Sequence, residues 1–182
     1  MGTDRNPDAP QEPYCQTVGS VVWHSISQEP LTIPEVSSLS LVVSDLEDYV
    51  VNWLDGHEPH ADLDSDNCEF GQLDGGGSET ELLRCCGTDR PREIPPLLVK
   101  ASVKPFVTVH DYVSAVHPWL LGLRGKILWA LSDINEDKPL PAETKLCVDT
   151  NWPDNLMIME EGRWISHVTY YHNAGTLGST TS

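Results

Sequence analysis

The sequence predicts an α+β fold, two or three helices packed on a small, mainly antiparallel sheet with a long acidic loop, and three observations carry that reading. Two segments place apolar residues every three or four positions behind helix-capping side chains, as a half-buried helix requires. Short apolar runs bounded by proline, glycine and polar residues read as strands. Residues 56–80, by contrast, are His, Asp, Gly and Ser with few apolar anchors. With 182 residues, 39% of them hydrophobic, the chain suits one core. The expected organisation is a disordered tail at 1–16, one domain at 17–172 containing a flexible acidic loop at about 56–80, and a second disordered tail at 173–182.

The first element is a strand at 20–27, where Val21 and Trp23 stand among polar residues, and an apolar run at 39–43 supplies the next. Ser44-Asp45-Leu46-Glu47 has the form of a capping box, with Leu46, Tyr49, Val50, Trp53 and Leu54 making one apolar stripe before Gly56 ends the helix. A short helix is expected near 79–86 and a strand at 97–102. Thr108-Val109-His110-Asp111 reads as a second cap, opening a helix whose stripe continues through Tyr112, Val113, Val116 and Leu120. Pro118 removes an amide donor and crowds the Ser114 carbonyl, which predicts a kink or a new helix start there. Strands follow at 144–148 and 156–159, and the spacing predicts that the latter forms a hairpin with 163–171 around a positive-φ Gly162.

Charge narrows the partners. Between Asn6 and Leu83 there is no lysine or arginine but sixteen Asp and Glu residues. The formal charge is about −15 before Pro95 (four basic, nineteen acidic) and −2 after it (seven basic, nine acidic). Such a field repels phosphate backbones and anionic membrane, so direct nucleic-acid or membrane binding is not expected; the carboxylates read as a solvating surface first and as a site for a basic protein second. The polar opening at 1–10 lacks the apolar core of a secretory signal. Five irregularly spaced cysteines do not make a disulfide framework. A cytoplasmic or nuclear, non-secreted protein is expected.

Three segments offer chemistry. His57, His60 and Asp62 lie in a run of two imidazoles and four carboxylates, a nitrogen and oxygen set that a divalent metal can use, although Pro59 breaks the helix that would align the histidines. Asp62, Asp64 and Asp66 mimic the opening of an EF-hand loop, but Asn67 and Leu73 stand where its glycine and glutamate belong. His110 and His117 lie two helical turns apart beside Asp111, a candidate acid/base site. Cys85 and Cys86 lack the two-residue gap of a metal-binding or redox pair and are expected to be buried or incidental. Trp119 and Trp152 are candidate interface anchors. No phosphate-binding glycine loop, nucleophile elbow or His-Glu-x-x-His occurs, so no cofactor is expected.

The run Leu97-Leu98-Val99-Lys100-Ala101-Ser102, then Phe106-Val107-Thr108-Val109-His110-Asp111-Tyr112-Val113 and Val116-His117-Pro118-Trp119-Leu120, resembles an uncharacterised domain of fungal proteins in which a short strand precedes a Val-Thr-Val-x-Asp helix start. The placement of Gly162-Arg163-Trp164 is similar to that domain too. The resemblance implies an intracellular α+β domain and carries no catalytic residues over. Taken together, the residues favour an accessory or protein-interaction domain with an acidic face. The alternative is a small cofactor-independent enzyme of isomerase, cyclase or hydratase type using His110, Asp111 and His117.

Overall fold

A computed structural model describes residues 12–72, 80–132, 138–149, 151–167 and 169. The expected tails therefore fall largely outside the described residues, as does 73–79 within the acidic loop. The α+β expectation holds: helices pack beside small, mostly antiparallel sheets.

The main sheet has four strands in the order β7-β3-β9-β8. Strand β3 (Ser38–Val43) pairs antiparallel with β7 (Leu97–Lys100) on one side and parallel with β9 (Asn155–Glu160) on the other, and β9 pairs antiparallel with β8 (Leu146–Asp149). Alternation along these strands buries Leu41, Val43, Val99, Leu156 and Ile158 on one face and leaves Leu98 and Met157 about half exposed on the other. Over the buried face lie α1 (Ser44–His57) and α2 (Val109–Ala130), which contribute Leu46, Tyr112, Val116 and Ile127 to the same core. Helix α2 begins as its sequence predicts. Thr108 Oγ1 accepts from the Asp111 amide at 3.1 Å while the Asp111 carboxylate accepts from the Thr108 amide at 2.9 Å, a reciprocal capping box. Pro118 is accommodated inside one continuous helix rather than restarting it.

Other local readings are overruled by tertiary partners. Ser44 does not cap α1: its hydroxyl donates to the Leu156 carbonyl at 3.1 Å, and the neighbouring Asp45 carboxylate accepts from the Ile158 amide at 2.6 Å. Both polar groups that looked local are used to tie the helix start to β9. Gly56 does not end α1, which runs to His57. The expected hairpin partner of β9 is helical at 161–167, because β9 already has β3 and β8 on its two edges and offers no third. The first expected strand is a two-stranded ribbon, β1 (Cys15–Val18) with β2 (Ser20–Trp23), followed by a short 3₁₀ turn at Ser25–Gln28.

A second, three-stranded sheet, β4 (Cys68–Gly71), β5 (Glu81–Cys85) and β6 (Thr88–Asp89), replaces the helix expected near 79–86. It packs on the C-terminal half of α1 through a small cluster of Trp53, Leu82 and Cys85. Helix α1 thus serves two cores, with Leu46 in the first and Trp53 in the second.

Candidate functional site

The densest grouping of chemically versatile side chains lies where the second sheet meets the end of α1. Strands β5 and β6 are joined by Cys86-Gly87, with φ of 52° and 82°, and Cys85 pairs with Thr88 across the turn. Two consecutive positive φ angles are the geometry of a type I′ hairpin, whose twist matches that of the strands. Glycine takes this conformation freely, whereas Cys86 is an L residue held in it. The turn brings the Cys85 and Cys86 sulfurs to 3.7 Å of each other.

Antiparallel pairing adds a third sulfur. Cys68 on β4 is the register partner of Cys85, and their sulfurs are 3.3 Å apart. The Cys86 amide also donates to the Asn67 carbonyl, closing the two segments on each other. Beyond α1 the chain makes a 3₁₀ turn, Glu58–His60, that directs the His60 ring to the same point, with Nε2 3.1 Å from the Cys86 sulfur and 3.5 Å from that of Cys85. The ligand atoms of His60, Cys85 and Cys86 all lie within 4.8 Å of one another. Burial pushes the Cys85 thiol up to about 12, and its hydrogen bonds with Cys68 and Cys86 add to the effect. All three cysteines are free thiols.

His60 is the only member of the predicted trio His57, His60 and Asp62 that reaches this cluster. Both ring nitrogens of His57 are engaged, Nδ1 with the Trp53 carbonyl at 2.7 Å and Nε2 with Thr88 Oγ1 at 3.3 Å, while its ring stacks on Trp53. Asp62 accepts from the Asp64 amide at 3.0 Å and stays in an exposed turn. Cys85 is buried, as expected, while Cys86 is exposed beside it: adjacency in a positive-φ turn aims neighbouring side chains together, which the spacing rule for extended or helical backbone does not cover. A Cys-Gly turn between two strand-like runs was the signal available in the sequence.

The acid/base candidates occupy different surroundings. Both Asp111 oxygens are engaged, one by the Thr108 amide and hydroxyl and the other by Ser102 Oγ at 2.5 Å. Burial works to raise its pKa, but these hydrogen bonds outweigh that and hold the carboxyl below its ordinary value. His110 packs edge-on against Trp23 at 4.6 Å, its Nδ1 buried without a hydrogen-bond partner among the described residues. The two border one shallow, open surface depression with Lys100 and Ser114, whereas His117 is exposed and does not line it. Of the interface candidates, Trp152 is 73% exposed in the turn before β9, and Trp119 packs against the main core.

No protein-family model, curated protein or solved structure matches this chain.

Exposed carboxylates flank His60 and Cys68 along the chain. Glu47, Asp48, Asp55, Glu58, Asp62, Asp64, Asp66 and Glu69 are all exposed, and they run from α1 through the turn at 61–67 into β4. The Arg84–Asp89 pair stands at the β4 end of this run, since Arg84 is the register partner of Glu69, while Arg90 pairs with Glu81 and Lys145 with Glu161. No helix among the described residues is long and apolar enough to cross a membrane.

Proposed function

We propose that this chain is an accessory domain that binds a basic protein through the acidic surface of α1, the turn at 61–67 and β4. The observation that carries this reading is the run of eight exposed carboxylates from Glu47 to Glu69, in a chain with no lysine or arginine from residue 6 to residue 83. Eight exposed carboxylates with one cation beside them, Arg84 across from Glu69, build a net negative field that steers and orients a complementary partner more than it adds to packing energy. Their positions support the reading further, because Glu47, Asp48 and Asp55 sit on a helix fixed in the core while Asp62, Asp64 and Asp66 project from the turn behind it. The noncatalytic character is supported by Asp111, whose oxygens close a helix cap instead of facing a substrate.

Affinity capture on the full chain tests the proposal. A basic partner is retained at low salt and released near ~1 M salt, where the screening length falls to about 3 Å. The triple variant Asp62→Asn, Asp64→Asn, Asp66→Asn retains much less of it. Absence of any partner whose retention falls with salt, or equal retention by the triple variant, overturns the reading.

A further inference from the structure

At the junction of α1 and the second sheet His60 converges on Cys85 and Cys86, and Cys68 adjoins Cys85 across the strands. Hydrophobic packing explains only part of this. Cys85 is fully buried beside Trp53 and Leu82, but Cys86 and His60 are exposed, so no loss of apolar area holds them in place. Fixing exposed side chains in one arrangement is entropically unfavourable, and the φ of 52° at Cys86 adds backbone strain that glycine or asparagine would avoid. Thiols are also weak hydrogen-bonding groups, poorly suited to hold a surface network together. An arrangement that is unfavourable on all three counts has a reason in something that draws the His60, Cys85 and Cys86 ligand atoms to one point.

We infer that His60, Cys85 and Cys86 form a binding site for one zinc-type divalent cation, with Cys68, whose sulfur lies 3.3 Å from that of Cys85, swinging in as the fourth ligand. The distances carry the assignment. Metal–sulfur bonds of about 2.3 Å and metal–nitrogen bonds of about 2.0–2.1 Å make a tetrahedron with sulfur–sulfur edges near ~3.8 Å and nitrogen–sulfur edges near ~3.5 Å. The Cys85–Cys86 separation is 3.7 Å and the His60–Cys85 separation is 3.5 Å. His60–Cys86 at 3.1 Å is shorter than its edge by a few tenths of an ångström, and Cys68 lies 3.3 Å from Cys85 but outside the set within 4.8 Å of one another, so its side chain moves toward His60 and Cys86 to coordinate. On binding, the three thiols release their protons to solvent and coordinate as thiolates. Soft sulfur with one imidazole selects zinc over calcium or magnesium, and Cys68 as fourth ligand leaves no open position for a substrate. The site is therefore structural.

Its position gives the cation a task. His60 precedes and Cys68 follows the turn that carries Asp62, Asp64 and Asp66, so one ion fixes both ends of that turn to the β5–β6 hairpin. The inference stands on the ligand geometry and is independent of any partner for the acidic surface.

The test uses the full chain, stripped with a chelator under reducing conditions and titrated with Co²⁺, which reports tetrahedral thiolate coordination by visible and near-ultraviolet absorption. The expected result is one Co²⁺ per chain with thiolate charge-transfer bands, displaced stoichiometrically by Zn²⁺. Cys86→Ser and His60→Ala alter exposed residues that the core does not need, and each lowers affinity by roughly 100-fold or more, while His57→Ala and Asp62→Ala leave it unchanged. Cys68→Ser lowers affinity to a similar degree. Uptake of no metal by folded protein, or unchanged binding by Cys86→Ser and His60→Ala with native circular dichroism, overturns the site. Full binding by Cys68→Ser overturns its four-ligand form.

Discussion

Trp53 joins α1 to the second sheet, and its replacement separates two contributions that the structure places on one side chain. The indole is 7% exposed, stacks on His57 at 4.4 Å and donates from Nε1 to Thr88 Oγ1 at 3.3 Å. A buried tryptophan withdraws about 150–250 Å² from water, or roughly 4–6 kcal/mol as an upper value at about 25 cal/mol per Å². Truncation of such residues to alanine costs about 3–5 kcal/mol. A neutral hydrogen bond contributes only about 1 kcal/mol, and this one is long. Burial therefore dominates, and Trp53→Phe should cost about 1–2 kcal/mol against about 3–5 for Trp53→Ala. With a urea slope near ~2 kcal/mol/M, the midpoint falls by roughly 0.5–1 M and 1.5–2.5 M respectively.

The loss should also be local. Among the described residues the second core holds three buried side chains, Trp53, Leu82 and Cys85, against ten in the first. Its sheet is expected to open at lower free energy than the main one. Hydrogen exchange on Trp53→Ala should show β5 amides losing protection while those of β3 and β9 keep theirs. Equal losses in both sheets would refute the two-core account, and a Phe variant as unstable as the Ala variant would show that the hydrogen bond, not burial, dominates.

Three further outcomes follow from the helices. Gly122 and Gly125 lie inside α2 with nothing within 4 Å of an added Cβ, so Gly122→Ala and Gly125→Ala should each stabilise by about 0.5–1 kcal/mol in urea titrations. Thr108→Ala removes the α2 cap and should cost about 1–2 kcal/mol, with most of the loss restored in Thr108→Ser, as read by thermal melting. Burial pushes the Asp45 carboxyl above its ordinary pKa, outweighing the Ile158 amide that lowers it. The folded state then holds the proton more tightly than the unfolded state, so this residue's contribution to stability falls as pH rises from the usual carboxylate range through its raised value. Asp45→Asn keeps an acceptor for Ile158 without the charge, and the variant should gain on the parent chain across that window in urea midpoints measured over a pH series.

Local sequence and local structure agree where the partner of a polar group lies within one turn. The Thr108 and Asp111 cap is such a case, since both groups meet only three residues apart. Ser44 and Asp45 carry a similar pattern, but their partners, Leu156 and Ile158, are more than a hundred positions away. Likewise, residues 161–167 have a strand-like composition but are helical because β9 has no edge left. The candidate site divides in the same way. His60 was visible as a ligand type in a suggestive run, whereas Cys68 and Cys85 meet only through strand register.

By itself the sequence determined the α+β class, the apolar stripes of both helices, the start of α2 and the charge imbalance that makes one surface acidic, since each follows from residue type and short-range spacing. Tertiary structure alone decided that sulfur and imidazole side chains gather at the end of α1. That cluster needs a positive-φ turn at Cys86, the pairing of Cys68 with Cys85, and a 3₁₀ turn after α1 to aim His60. Each is a relation between backbone segments in space, and residue identity along the chain does not contain it.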